Sequence, residues 1–426
     1  MRKGSDVLRL RKGPPYPGRL FLRLFVSPSS VRDEESLLSK TSHFSTRCTG
    51  YAITAVFTWV FILDFVDLVH LQGRDKDPAY GRINPIIVII GFAASQTTFF
   101  RAAASCIFSM RHGKEMVACA HFVLKCADVF KIPANRRIHH IKRGQLLFLF
   151  VEVSCIIRLV VGMLENLDNL YKRVPYGFFY IYVWQINAYI YIWVILASWI
   201  NLPLLTMFYY LCAILNDCAE VCAEDIQKLL DEPAPAALST DEFANKLKHI
   251  RRQHEMLCDM FERMQKTFSS KLLIDIAGNL FEVLVVIAWF CSWVALPTFG
   301  NKYKTARMLM TLLGTILRLI YLVAQPLKFS YMPDKLAELV DEALYQRQAK
   351  RKKYIASVTE VDVTQTLDRK VKSSDLTFCA GQIIGIDRAT VISTIVSVAG
   401  FVCFIIERIE SYSVIHSQDD NDLINC

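Results

Sequence analysis

The sequence predicts an all-α membrane protein with seven transmembrane helices, a cytosolic N-terminus, an extracellular C-terminus and long cytosolic helical extensions. Its 426 residues are 53% hydrophobic with a mean hydropathy of +0.30, yet 21% are charged, so apolar blocks must alternate with charged ones. Apolar stretches near 50–71, 86–109, 146–164, 177–199, 273–297, 306–326 and 383–406 each approach the roughly 20 helical residues that a hydrocarbon core demands. Between them, Lys and Arg total 36 in segments 1–49, 110–145, 200–272 and 327–382, against 8 in 72–85, 165–176, 298–305 and 407–426. The basic set belongs in the cytosol, which fixes the expected orientation.

Segment 1–49 is basic and has no apolar run followed by small residues, so no cleavable signal peptide is expected and the segment should stay cytosolic. Helices one to four fill 50–199. The fourth apolar block continues to about Leu215, but Asn201 and Pro203 fall where a span from 177 ends. One helix is therefore expected to emerge and continue as an amphipathic extension into a cytosolic anchor segment, 200–272.

Within that segment, DEPAPAALST at 231–240 breaks the helix. Beyond it Phe243, Leu247, Ile250, Leu257, Met260, Phe261 and Met264 recur largely at three- and four-residue steps, an apolar stripe that needs a partner. Spans five and six occupy 273–326. A second cytosolic segment, 327–382, holds a helix that begins after Pro333 and closes with Arg347, Lys350, Arg351, Lys352 and Lys353, a cluster suited to anchoring at anionic lipid. The last span, 383–406, precedes an acidic extracellular tail, 407–426.

Several classes are disfavoured. The 13 cysteines lie in apolar segments or basic loops apart from Cys426, so structural disulfides are not expected. Cys218, Cys222 and the pair His139-His140 lack partners at metal-ligand spacing, and neither a metal nor a cofactor is expected. No nucleophile-base pair or phosphate loop stands out, so the chain reads as a non-enzyme, and no nucleic-acid partner is expected. A G-protein-coupled receptor places its N-terminus outside; here that end is inside, there is no Asp-Arg-Tyr-like triplet after the third span, and no G protein is expected. Paired Gly/Pro interruptions typical of transporters are not seen.

Ionisable residues within spans seek partners. At 1.5 Å per residue, Asp64 and Arg158 fall roughly 5 Å outside the midplane, and Arg101, Glu152, Glu282 and Arg318 roughly 3–6 Å inside it. Two layers, each with both signs, predict buried pairing; Arg158 also reads as a ligand contact. In the aromatic run FFYIYVWQINAYIYIWV, Tyr180, Tyr182 and Trp184 suit an interfacial belt. Deeper, Tyr189, Tyr191 and Trp193 wall an apolar ligand cavity with Trp289 and Trp293, or belong to the core.

In the last span Ser393, Ser397, Gly400, Phe404 and Glu407 fall on one helical face, set in an otherwise apolar helix. Small residues of this kind also serve close helix packing. One copy per subunit around an axis makes a water-tolerant lining, a hydrophobic constriction at Phe404 and a carboxylate ring at Glu407.

Here the sequence resembles the arthropod gustatory receptors, within the insect chemoreceptor superfamily of seven-span ligand-gated cation channels. Their C-terminal signature is Thr-Tyr, five hydrophobic residues, then Gln-Phe. This chain reads Gly400-Phe401, Val402-Cys403-Phe404-Ile405-Ile406, Glu407-Arg408 in the same frame, preceded by DLTFCAGQIIGIDRATVIS. The resemblance implies a homo- or hetero-tetramer of related subunits in the plasma membrane, with the last helix of each lining a pore for cations. It implies cytosolic anchor helices, and a pocket in the outer half for a tastant or other small ligand. By position, Phe404, Glu407 and Arg408 sit at or beside the extracellular constriction. A non-conducting interaction protein of the same architecture stays open as an alternative.

Overall fold

The computed structural model describes residues 51–52, 54–66, 85–165, 171–176, 179–231, 240–294, 302–350, 365–369, 371–372 and 376–424, some of them by backbone alone. They form helices α1 (Thr54–Val66), α2 (Pro85–Val129) and α3 (Ala134–Glu165), then a hairpin of β1 (Arg173–Tyr176) and β2 (Phe179–Tyr182). Next come α4 (Val183–Asp231), α5 (Thr240–Val294), α6 (Lys302–Ser330) and α7 (Met332–Lys350). A second hairpin, β3 (Cys379–Ala380) and β4 (Ile384–Gly385), leads into α8 (Arg388–Ile424).

Local chemistry sets the boundaries. Pro85 opens α2 at a position where a missing N–H costs nothing. That helix stops where Lys131 turns left-handed, at φ 57°, and Ile132 N–H donates to the Ala127 carbonyl at 2.9 Å, closing the free end before Pro133. In the first hairpin Arg173 pairs with Tyr182 and Tyr176 with Phe179, and the Arg173 guanidinium lies 5.0 Å over the Tyr182 ring.

Two helices organise the molecule. α4 has 49 residues and α5 has 55, which at 1.5 Å per residue makes them about 74 and 83 Å long. Either is more than twice the roughly 30 Å of a hydrocarbon core, so each must project well beyond any bilayer it crosses. Asn201 and Pro203 do not break α4, and the stripe of α5 runs into the following apolar stretch as one helix.

The main core sits where α2, α4, α5, α6 and α7 pack together. Leu247, Ile250, Leu257, Met260, Phe261 and Met264 of the α5 stripe are all buried there, with Leu211, Ile214, Leu215 and Cys218 of α4 and Leu336 and Val340 of α7; Phe243 lies outside the described side chains. Burial pushes the Cys119 thiol up to about 11, so it stays protonated and packs as a small apolar group. A smaller cluster joins Phe57 and Val60 of α1 to Phe99 and Cys106 of α2 and Ile200 of α4.

Elsewhere large apolar side chains face outward. Trp59 and Phe65 of α1, Leu149 and Ile156 of α3, Leu313 and Ile320 of α6, and Ile395 and Val396 of α8 are all exposed, far more apolar surface than a water-soluble monomer carries. Among the described residues three stretches are long and apolar enough to cross a membrane: Ile195–Leu229, Leu309–Ala343 and Arg388–Glu407. Of the first, 60% is buried inside the chain, of the second 28% and of the last none, so α4 is the most covered of the three and the start of α8 the least.

Candidate functional site

α8 is positioned from its base. Asp387 caps it, accepting a hydrogen bond from Thr390 N–H at 2.7 Å. Ahead of the cap, the β3–β4 hairpin is clamped to the middle of α5. The Gln265 side-chain amide donates to the Cys379 carbonyl at 2.7 Å and accepts from the Cys379 N–H at 3.0 Å, as a neighbouring strand would. Ser269 adds its hydroxyl, donating to the same carbonyl at 3.0 Å and accepting from Gln382 N–H at 3.1 Å, while its own carbonyl takes Gly381 N–H at 2.8 Å. Gly381 has φ +60°, and a Cβ there meets Leu273 Cδ2 at 2.5 Å, so the close approach of hairpin to helix depends on glycine.

Phe378, fully buried, anchors this arrangement. Its ring centroid lies 4.9 Å from Phe261, 5.8 Å from Phe208 and 5.9 Å from Phe329, binding the approach of α8 to α5, α4 and α6 together.

Beyond the hairpin α8 packs chiefly on α5. Its half-buried positions Val391, Thr394, Val398, Phe401, Val402 and Ile405 recur at three- and four-residue steps, and a groove of about 670 Å³ opens between this side and Leu280 and Leu284 of α5. Ser393, Ser397, Gly400, Phe404 and Glu407 lie about a third of a turn away and are all exposed, with Ser393 and Ser397 bordering the groove. No atom comes within 4 Å of a Cβ built on Gly400. Ser397 Oγ donates to the Ser393 carbonyl at 2.8 Å, which satisfies the hydroxyl hydrogen within the helix and leaves an acceptor oxygen outward. Arg408 is on α8, with its side chain outside the described residues.

A second exposed face of α8 is aliphatic: Ile392, Ile395, Val396 and Ile406. Three faces thus divide the helix, one on its own chain, one small and polar with Phe404, and one aliphatic. The last two are exposed among the described residues.

The charged residues of the spans are partly gathered. Arg101 of α2 hydrogen-bonds Glu282 and Asn279 of α5, and Arg318 of α6 lies 3.5 Å from the same Glu282 oxygen. Gly278 makes room for the arginine stem, since a Cβ there meets Arg101 Cδ at 2.5 Å. Asp64 accepts from Gln96 Nε2 at 2.7 Å. Glu152 and Arg158, both on α3, have side chains outside the described residues. The same holds for Tyr189, Tyr191 and Trp193 on α4 and for Trp289 and Trp293 on α5, so the aromatic pocket lies outside what the structure describes.

Several residues that build the site are absent from the sequence reading: Gln96, Lys271, Asp275, Asn279, Gln265 and Ser269. A signal exists for part of this set. Lys271, Asp275, Asn279 and Glu282 fall at i, i+4, i+8 and i+11 on α5, a polar line entering an apolar stretch. Gln265 and Ser269 carry none, because nothing local reveals that a segment more than a hundred residues away will pair with them.

No protein-family model and no curated protein matches the sequence. Solved structures do. The insect olfactory receptor OR5 from Machilis hrabei in complex with eugenol superposes with a TM-score of 0.64 at 12% identity, over 94% of this chain and 99% of that one. The fold is similar to that of an insect olfactory receptor. A second structure of the Machilis hrabei receptor gives a TM-score of 0.60 at 13% identity over the same shares. An olfactory-receptor fold thus accounts for nearly the whole length of both chains, although few side chains are shared.

Proposed function

We propose that the chain is a subunit of a chemoreceptor channel of the insect chemoreceptor type. It sits in the plasma membrane as a multi-pass protein of seven spans, N-terminus inside and C-terminus outside. Four subunits, identical or related, surround an axis lined by α8. Ser393, Ser397 and Gly400 then face water, Phe404 forms a constriction that gates by dewetting, and Glu407 forms a ring that attracts cations. Arg408, about 100° away on the helix, turns from the axis. A small organic ligand enters a pocket in the outer half of the spans, and the sequence resemblance to gustatory receptors makes tastants the first class to try.

The observation that carries this reading is α8 itself. Among the described residues, this apolar helix has no buried position in its first twenty, and its small, polar stripe suits water better than lipid.

The test is current recorded from the protein expressed in a non-native cell and challenged with a ligand panel, alone and with a sister subunit. In a responding channel, Glu407→Gln lowers cation conductance or divalent-ion sensitivity, because a focusing of roughly ten-fold in local cation concentration is lost. Permeation unchanged in both respects removes Glu407 from the pore.

A further inference from the structure

Where α2, α5 and α6 converge, Arg101, Glu282 and Arg318 are buried at 2%, 4% and 8% exposure. One carboxylate serves two guanidinium groups: the same Glu282 oxygen is bound by Arg101 and lies 3.5 Å from Arg318 Nη1. The next charges along α5 cancel, because Lys271 pairs with Asp275. Among the described side chains the cluster therefore holds one surplus positive charge. Surplus charge in a low-dielectric interior is strongly unfavourable unless something compensates it.

Two further observations fall at the same place. Nε of Arg101 and Nε of Arg318 are both buried without a hydrogen-bond acceptor among the described residues. Both residues line a small, partly enclosed cavity of about 20 Å³, together with Thr98, Asn201, Leu202, Leu205, Asp275 and Asn279. A volume of that order suits a single small particle. A water supplies an acceptor and leaves the charge in place. A monovalent anion supplies both.

We propose that this cavity binds a single small halide, chloride, which neutralises the Arg101–Glu282–Arg318 cluster and accepts from the arginine Nε–H groups. Asp275 on the wall does not forbid it, since Lys271 offsets that carboxylate. The site knits three helices and is independent of the channel reading: it requires only the fold.

The experiment uses the full-length protein purified in detergent, with its thermal unfolding midpoint measured in sodium chloride, bromide and gluconate at constant ionic strength. Chloride and bromide are expected to raise the midpoint above gluconate, saturably, by on the order of 2 °C per tenfold rise beyond the dissociation constant. This order opposes the general salt effect, in which strongly hydrated, excluded anions stabilise more. Arg318→Gln removes the surplus charge, keeps Glu282 paired with Arg101, and is expected to abolish the halide dependence, whereas Lys372→Gln on the surface retains it. Equal midpoints in chloride and gluconate, a higher midpoint in gluconate, or a halide effect that survives Arg318→Gln overturns the proposal. Should Arg318→Gln not fold, the anion series on the unaltered protein decides.

Discussion

At the scale of single residues, two glycines show how tightly neighbouring elements approach. Gly278 leaves space for the Arg101 stem, and Gly381 lets the β3–β4 hairpin lie on α5 with φ +60° and with Leu273 where a side chain would go. Gly381→Ala is therefore expected to destabilise by about 1–2 kcal/mol from backbone conformation alone, with the clash at Leu273 added. Thermal unfolding of the purified protein measures it; an unchanged midpoint means that the hairpin can lift from α5 at no cost. Residue-level reading of the sequence works best for the line Ser393, Ser397, Gly400, Phe404 and Glu407, because a helical face follows from spacing alone. It reaches the Arg101 partners only in part, since an ion pair between helices 181 residues apart is a tertiary fact.

At the scale of elements, α5 is the scaffold on which the core, the hairpin and α8 meet. Its stripe from Leu247 to Met264 is buried in the main core, its Gln265 and Ser269 hold the hairpin, and its Leu280 and Leu284 face α8. Phe378→Ala leaves a hole among Phe208, Phe261 and Phe329 and is expected to cost roughly 3–5 kcal/mol. Limited proteolysis should show earlier cleavage around 376–387 as well as a lower unfolding midpoint; a lower midpoint with no new cleavage places the damage in the core and leaves the hairpin docked. Helix periodicity makes the α5 stripe legible in sequence. The hairpin is not, because its strands are two residues each and owe their pairing to the glutamine beside them.

At the scale of the whole molecule, the distribution of uncovered apolar surface matters most. The core around α4 is closed by its own chain, whereas α8 presents Ile395 at 63% and Val396 at 64% exposure on its aliphatic face. A helix with one polar and one aliphatic outward face meets both demands at once in a ring, where the first lines the axis and the second meets a neighbour or lipid. On the proposed ring of subunits, Ile395→Glu is expected to leave the fold of the single chain intact and to reduce the particle in mild detergent from a multiple of 48.7 kDa to the single-chain mass. Mass measurement of the two proteins decides; a wild-type particle at the single-chain mass, or an unaltered multiple in the variant, places this face toward lipid.

Composition and periodicity by themselves determine that the chain is helical, that it carries apolar stretches of membrane length, and that its last helix has a polar stripe, because each is a property of consecutive residues. The tertiary structure alone decides that the α5 stripe and the apolar stretch after it form one unbroken helix, that Gln265 and Ser269 hold the hairpin, and that Glu282 answers two arginines. Those outcomes depend on which helices become neighbours, and buried polar groups choose their partners only after packing has brought them within reach.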